Sequence, residues 1–147
     1  MQKRVLFYEG KGYFLSNFSS FAILENGVLW MTVEHAYQAA KFTDPVIIDE
    51  IRGALSAHDA KQIARKYRDK VRADWGDDIK LGVMEKYLRM KIDQHPYVRE
   101  NLLETGNAEL IEDSSKDSFW GRGPRWKGFN YLGRLWMKLR SELRIRG

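Results

Sequence analysis

The sequence predicts a mainly α-helical single domain with a small antiparallel β element near its N-terminus, and three observations carry that expectation. After residue 32 apolar residues recur at helical spacing, most clearly at Leu132, Leu135, Trp136, Leu139 and Leu143, which fall at i, i+3, i+4, i+7 and i+11. Before residue 32 the pattern is aromatic-rich and punctuated by glycine, with Asn26-Gly27 set between two apolar runs as a hairpin turn. Finally, 147 residues, 44% of them apolar, fit one domain large enough to bury roughly 70% of the surface its unfolded chain exposes, so residues 1–147 are read as one domain.

Taken in order, short strands are expected near 4–8, 20–24 and 28–31, with Gly10 and Gly12 in the loop that follows the first. Thr32 caps a helix over about 33–42, ended by Thr43-Asp44-Pro45, because a proline drives the residue before it out of helical geometry. Pro45 then opens a short helix to Arg52, stopped by Gly53. Ser56-Ala57-His58-Asp59 resembles a capping box and starts a helix through Ile63, Ala64 and Tyr67. A further helix over 77–94 places Ile79, Val83, Met84, Tyr87, Leu88 and Ile92 on its inner face. Pro96 begins another, to about Glu104, and Leu132 to Leu143 forms the last, with its basic residues outward. Glu112 to Asn130 has little periodicity, and an irregular stretch of that length inside a compact domain is more often functional than idle.

The chain has no cysteine, which excludes disulfides, thiolate metal sites and cysteine nucleophiles. The apolar run Val5-Leu6-Phe7-Tyr8 is too short for a signal sequence, and no run approaches membrane-spanning length, so a cytoplasmic address without membrane contact is expected. The formal charge is +5, but from Arg122 onward eight Lys and Arg face one acid, Glu142, a local net of +7. Such a focus attracts phosphate, and DNA contact through this basic C-terminal segment is one expectation; a solvated basic helix face explains the composition equally well.

At 100° per residue, Glu34, Tyr37, Gln38 and Lys41 fall within about a 100° arc, with His35, Ala39 and Phe42 around the other side. A carboxylate, an amide and an amine projecting together can serve as general acid/base, anchor, and nucleophile or electrostatic stabiliser. The ordinary reading is an exposed ion-pairing face, but the helix enters directly from an aromatic hairpin, which favours an interior position. Ser16-Asn17-Phe18 offers a hydroxyl and an amide beside a ring able to stack on a base. Trp75, Trp120 and Trp126 fall in or near loops, where a tryptophan is less automatically core than Trp136 on its apolar stripe. His35, His58 and His95 have no metal-ligand spacing, and neither a Walker loop nor a complete dinucleotide fingerprint is present, so no metal and no cofactor is expected.

Taken together, Phe7-Tyr8, Ser16-Asn17-Phe18, Gly27 with Trp30, Glu34-His35-Ala36-Tyr37-Gln38-Ala39-Ala40-Lys41-Phe42, Arg72 with Trp75, Asp117-Ser118-Phe119-Trp120-Gly121 and Asn130-Tyr131-Leu132-Gly133 resemble the NADAR family, also called YbiA-like. The order and spacing match across nearly the whole chain, although Met31 and Val33 stand where the family often has Pro and Ser. The resemblance implies a mainly helical fold and N-glycosidase activity, either on ribosylamine phosphates of riboflavin biosynthesis or on ADP-ribose attached to guanine in nucleic acid. It implies Glu34 and Lys41 as catalytic residues, and Ser16, Asn17, Phe18, Gln38, Trp75, Asp117, Trp120, Gly121 and Asn130 as substrate contacts. The partner is then a nucleotide-like small molecule or ADP-ribosylated nucleic acid. A non-catalytic module binding ADP-ribose or nucleic acid is the alternative from the same residues.

Overall fold

The computed structural model describes residues 3–8 and 12–146; Gly10 of the expected loop lies outside the described residues, as does the Met1-Gln2 start. In chain order the elements are β1 (Arg4–Phe7), β2 (Ile23–Glu25), β3 (Val28–Trp30), α1 (Val33–Ala39), α2 (Pro45–Arg52), α3 (Ala57–Lys66), α4 (Asp77–Gln94), α5 (Pro96–Glu104), β4 (Glu109–Glu112) and α6 (Tyr131–Arg146). They gather into two compact units, residues 17–94 and residues 1–16 with 95–147.

In the 17–94 unit the expected hairpin forms, with Ile23 opposite Trp30 and Glu25 opposite Val28, and Asn26 and Gly27 both take positive φ (49° and 82°) at its turn. Its first strand starts at 23 rather than 20, because the Phe21 N–H turns back to the Ser19 carbonyl and breaks the extended run. The Thr32 side chain caps α1 by accepting the His35 N–H. The His35 ring continues that cap: Nδ1 lies 2.8 Å from Thr32 Oγ1 and Nε2 3.0 Å from the Ala54 carbonyl. A carbonyl only accepts, so Nε2 donates to Ala54, and the ring ties the start of α1 to the α2–α3 connection.

α1 ends at Ala39, not at residue 42 as expected. The Lys41 and Phe42 N–H groups reach back three residues, to Gln38 and Ala39, and this tighter turn closes the helix early. α2 keeps its expected bounds, with Asp44 accepting the Val46 N–H and Pro45 in the first turn. On α4 the buried residues Met84, Tyr87, Leu88, Lys91 and Ile92 follow i, i+3, i+4, i+7, i+8. Ile79 was expected on this face but is exposed, since five positions before Met84 puts it about 140° round the helix. Lys91 takes the face instead, its Nζ donating to Ser19 Oγ at 2.9 Å and lying 5.1 Å from the Phe21 ring centre.

In the other unit β1 pairs in parallel with β4, Arg4 opposite Glu109 through Phe7 opposite Glu112. β4 was not expected, and it makes this second β element parallel rather than antiparallel. Its adjacent buried residues Leu110 and Ile111 lack alternation, as strands of parallel sheets do, and four residues without turn signals leave little trace in a sequence. α6 packs against β4 and runs past the expected Leu143 to Arg146, as no breaker follows. Its five stripe residues are buried as expected, and the Trp136 indole donates to the Leu15 carbonyl at 3.0 Å. Arg140 departs from the outward rule: it is buried, and donates to Thr105 Oγ1 at 2.8 Å. Among the described residues, no helix is long and apolar enough to cross a membrane.

Candidate active site

Every residue of α1 is buried, so the exposed ion-pairing reading of Glu34 and Gln38 does not hold. One helical turn apart, they meet: Gln38 Nε2 donates to Glu34 Oε1 at 2.8 Å. A carboxylate can only accept, so the amide must turn its NH2 inward, and this leaves Gln38 Oε1 buried without a hydrogen-bond partner among the described residues. Asn17 lies at the same end of α1, its backbone carbonyl accepting the Glu34 N–H at 3.1 Å. The Asn17 side chain donates weakly to Met84 Sδ at 3.4 Å, while its Oδ1 is likewise buried without a partner. Each orphaned amide oxygen costs about 1–3 kcal/mol. A ligand bearing hydroxyl donors would recover that cost.

Lys41 sits in the turn after α1, half-buried, with its Nζ 5.4 Å from the Tyr37 ring centre, and Tyr37 in turn packs on Trp75 at 5.6 Å. Burial pushes the Lys41 ammonium below its ordinary pKa; Glu34 pulls it back up, and Lys80, Lys61 and Arg65 push it down further. The carboxylate is outweighed, so the neutral amine is favoured relative to a free lysine. Arg72 holds the turn in place, its backbone N–H donating to the Lys41 carbonyl at 2.8 Å and its guanidinium to the Ala40 carbonyl, while it grips Asp74 through two bonds of 2.6 and 2.7 Å.

The three cations that depress Lys41 lie on α3 and α4, twenty to forty positions along the chain, and no spacing in the sequence marks them. A cavity of about 330 Å³ opens beside the end of α1, lined by Trp30, Ala39, Phe42, Arg72, Lys86 and Tyr87 among others. None of the candidate catalytic residues lines it, and its cations Arg72 and Lys86 are already paired with Asp74 and Glu25.

In the other unit the predicted residues shape a loop. Asp117 Oδ1 accepts the backbone N–H groups of Phe119 and Trp120 at 3.0 and 2.8 Å, so its carboxylate builds the turn that presents Trp120. Asn130 takes positive φ and uses both ends of its amide on β4, accepting the Glu112 N–H and donating to the Leu110 carbonyl, each at 3.0 Å. Gly121 is packed where an added Cβ would come within 3.0 Å of Ser114 and 3.1 Å of the Asp117 carbonyl. Ser16 closes the turn over Tyr13–Leu15, and Trp120 is half-buried against Phe119 at 4.7 Å. Phe18 is half-buried in the 17–94 unit. Among the described residues no three His, Asp or Glu side chains converge as a metal site.

Comparison with known proteins agrees with this architecture. The model of the NADAR domain matches residues 6–144. N-glycosidase YbiA of Escherichia coli (strain K12) is 41% identical over 130 residues, covering 88% of this chain and 81% of that protein. Riboflavin biosynthesis protein VVA0006 of Vibrio vulnificus is 39% identical over 145 residues, 97% of this chain but only 39% of that longer protein. The NMR structure of the E. coli protein YbiA superimposes with a TM-score of 0.88 at 38% identity, covering 99% of this chain and 88% of the other. With the family model running through both units and relatives of similar length that are N-glycosidases, the chain belongs to the NADAR domain family and is a hydrolase of the N-glycosidase type.

Proposed function

We propose that this chain hydrolyses the N-glycosidic bond of an ADP-ribosyl or ribosyl-phosphate compound, with Lys41 as nucleophile and Glu34 as proton shuttle. The observation that carries the reading is a lysine whose ammonium is disfavoured by burial and three neighbouring cations, in the turn that follows the helix holding a buried carboxylate–amide pair. Breaking an N-riboside requires stabilising positive charge at the anomeric carbon and protonating the departing nitrogen. On the ring-opened sugar, neutral Lys41 adds to C1, and the bond from C1 to the base breaks as Glu34 protonates the leaving nitrogen, leaving a lysine imine. Water activated by Glu34 then adds to the imine carbon, the C1–Nζ bond breaks, and Lys41 and a free sugar aldehyde are released. Only the neutral amine can perform the first step.

The buried oxygens Gln38 Oε1 and Asn17 Oδ1 suit sugar hydroxyls, and the Tyr37–Trp75 pair suits an apolar or aromatic face. In the 17–94 unit, Asn17, Phe18, Gln38 and Trp75 are the proposed substrate contacts; in the other unit Ser16, Trp120 and Gly121 are proposed as contacts, with Asp117 and Asn130 holding the loop that carries Trp120. Residues 1–147 then act as one YbiA-like domain, in keeping with the family model over 6–144, and the cysteine-free sequence suits the cytoplasm. Two substrates compete. The name of the Vibrio relative points to a ribosylamine phosphate of riboflavin biosynthesis, whereas the net +7 of the last 26 residues favours ADP-ribose on guanine in a polyanionic nucleic acid. Mass spectrometry of products from ADP-ribosyl-guanosine DNA and from the riboflavin-pathway ribosylamine, run side by side, tests both. Release of free base or amine from one supports the reading; binding without release from either would make the chain a non-catalytic ADP-ribose or nucleic-acid module.

A further inference from the structure

We infer that the exposed segment from Arg122 to Arg134 is a docking platform for single-stranded nucleic acid, stacking unpaired bases on Phe129 and Trp126 and holding phosphates with Arg125, Lys127 and Arg134. Trp126 is 50% exposed and Phe129 54%, two large aromatic rings three positions apart on one loop. Phe129 stacks one face on Tyr131, with centroids 5.3 Å apart and planes 14° apart, and Arg134 lies 5.7 Å from the Tyr131 ring centre. This buttressed ring remains half in solvent. The Trp126 ring has two guanidinium groups over it, Arg122 at 4.5 Å and Arg4 at 5.8 Å from its centre, and Arg122 is itself anchored to Asp113 at 2.6 Å, so Phe129 is the principal stacking surface.

Charge identifies the class of partner. Between Arg122 and Arg140 the sequence has six Lys and Arg and no acid. Arg125, Lys127 and Arg134 are all exposed, alternating along the chain with the two aromatics. Alternating cations and ring faces match a strand whose bases are unstacked and whose phosphates run alongside; a duplex hides the faces that these rings would meet. The segment is also braced by backbone hydrogen bonds. Arg125 and Trp126 are consecutive non-glycine residues with positive φ (57° and 60°), held there by N–H bonds from Gly128 to Arg122, Phe129 to Ser118 and Asn130 to Gly121. Strain of this kind persists only where surrounding bonds enforce it, and a platform ordered in advance loses little entropy on binding. The surface rests on the same basic segment that favours a nucleic-acid substrate, but it requires no reactive bond in the strand, so binding of an unmodified strand tests it separately from hydrolysis.

The test is fluorescence anisotropy with a labelled, unmodified oligo-dT of about 12 nucleotides, a typical single-strand footprint. Full-length protein should bind with an affinity that falls as salt rises, with a log–log slope of about −2 for three phosphate contacts. Arg125→Gln, Lys127→Gln and Arg134→Gln should each flatten that slope by about 0.7. Phe129→Leu should weaken binding roughly tenfold with the slope unchanged, and Phe129→Trp, which keeps a ring, should restore it. Equal affinity for an abasic deoxyribose-phosphate strand would overturn the stacking claim. Equal affinity for duplex DNA, or displacement by poly-glutamate at equal charge, would overturn the choice of partner. Should Phe129→Leu fail to fold, the abasic strand against wild-type protein still decides.

Discussion

Gly133→Ala isolates the contact by which α6 seats on β4. An added Cβ would stand 2.5 Å from Asn130 Nδ2 and 2.6 Å from its Oδ1, with the Leu110 carbonyl oxygen closer still. These are backbone of β4 and the amide that bridges to it, so relief requires α6 to move away or Asn130 to abandon the Leu110 and Glu112 bonds. Helix propensity favours alanine by at most about 1 kcal/mol. Against that stand overpacking at about 1–3 kcal/mol and two bridging bonds at about 1 kcal/mol each. The clash wins, with a net loss of roughly 2–4 kcal/mol, and Tm should fall by about 6–13 °C for a chain of this size. Gly82→Ala is the matched control, an exposed position within α4 where the added Cβ meets nothing within 4 Å, and it should stabilise by about 0.5–1 kcal/mol. Urea unfolding followed by far-UV circular dichroism measures both. A Gly133→Ala variant at least as stable as wild type, or two variants that move together, would refute the close-approach argument.

Other consequences concern the chemistry. Glu34→Gln should lower kcat by on the order of 10² or more if Glu34 moves the proton in the rate-limiting step; full retained rate would remove it from the mechanism. Because Lys41 must be neutral to attack, kcat should rise with pH through its depressed pKa, and Lys80→Met, which deletes one of the cations lowering that pKa, should move the rising limb to higher pH. An unmoved or downward-shifted limb counts against the assignment. Burial pushes Lys91 down to about 7, against about 10.4 in an unfolded chain. Between those values the folded state binds fewer protons than the unfolded one, so this lysine makes stability rise as pH climbs from about 7 to about 10.4, with a constant charge-burial cost below 7. Lys91→Met should therefore show a flatter dependence of Tm on pH over that window than wild type, and identical slopes would contradict the inference.

Helices were legible where capping chemistry and periodicity coincide. Pro45, Ser56 and Pro96 mark starts that the structure keeps, and the Leu132 to Leu143 stripe is buried as its spacing requires. The end of α1 was not legible, because nothing in Ala39-Ala40-Lys41 forbids helix and the tighter turn arises from tertiary bonds such as that between the Arg72 N–H and the Lys41 carbonyl. β4 left no alternation to read, and buried Lys91 and Arg140 broke the rule that charges face water. Within the candidate site, Glu34 and Gln38 could be grouped by helical phase, whereas Lys41 lies in the tighter turn past the end of α1, where that phase no longer applies. What the sequence could not supply is the set of cations around Lys41, which the fold assembles from α3 and α4.

The most direct test of the account is borohydride added during turnover of ADP-ribosyl-guanosine DNA or the riboflavin-pathway ribosylamine, whichever substrate releases product. Peptide mapping should find one reduced sugar adduct, on Lys41, that is absent without substrate and absent from Lys41→Arg. Turnover by wild-type protein with no reduced adduct, or with the adduct on another lysine, would contradict the assignment of Lys41 as nucleophile.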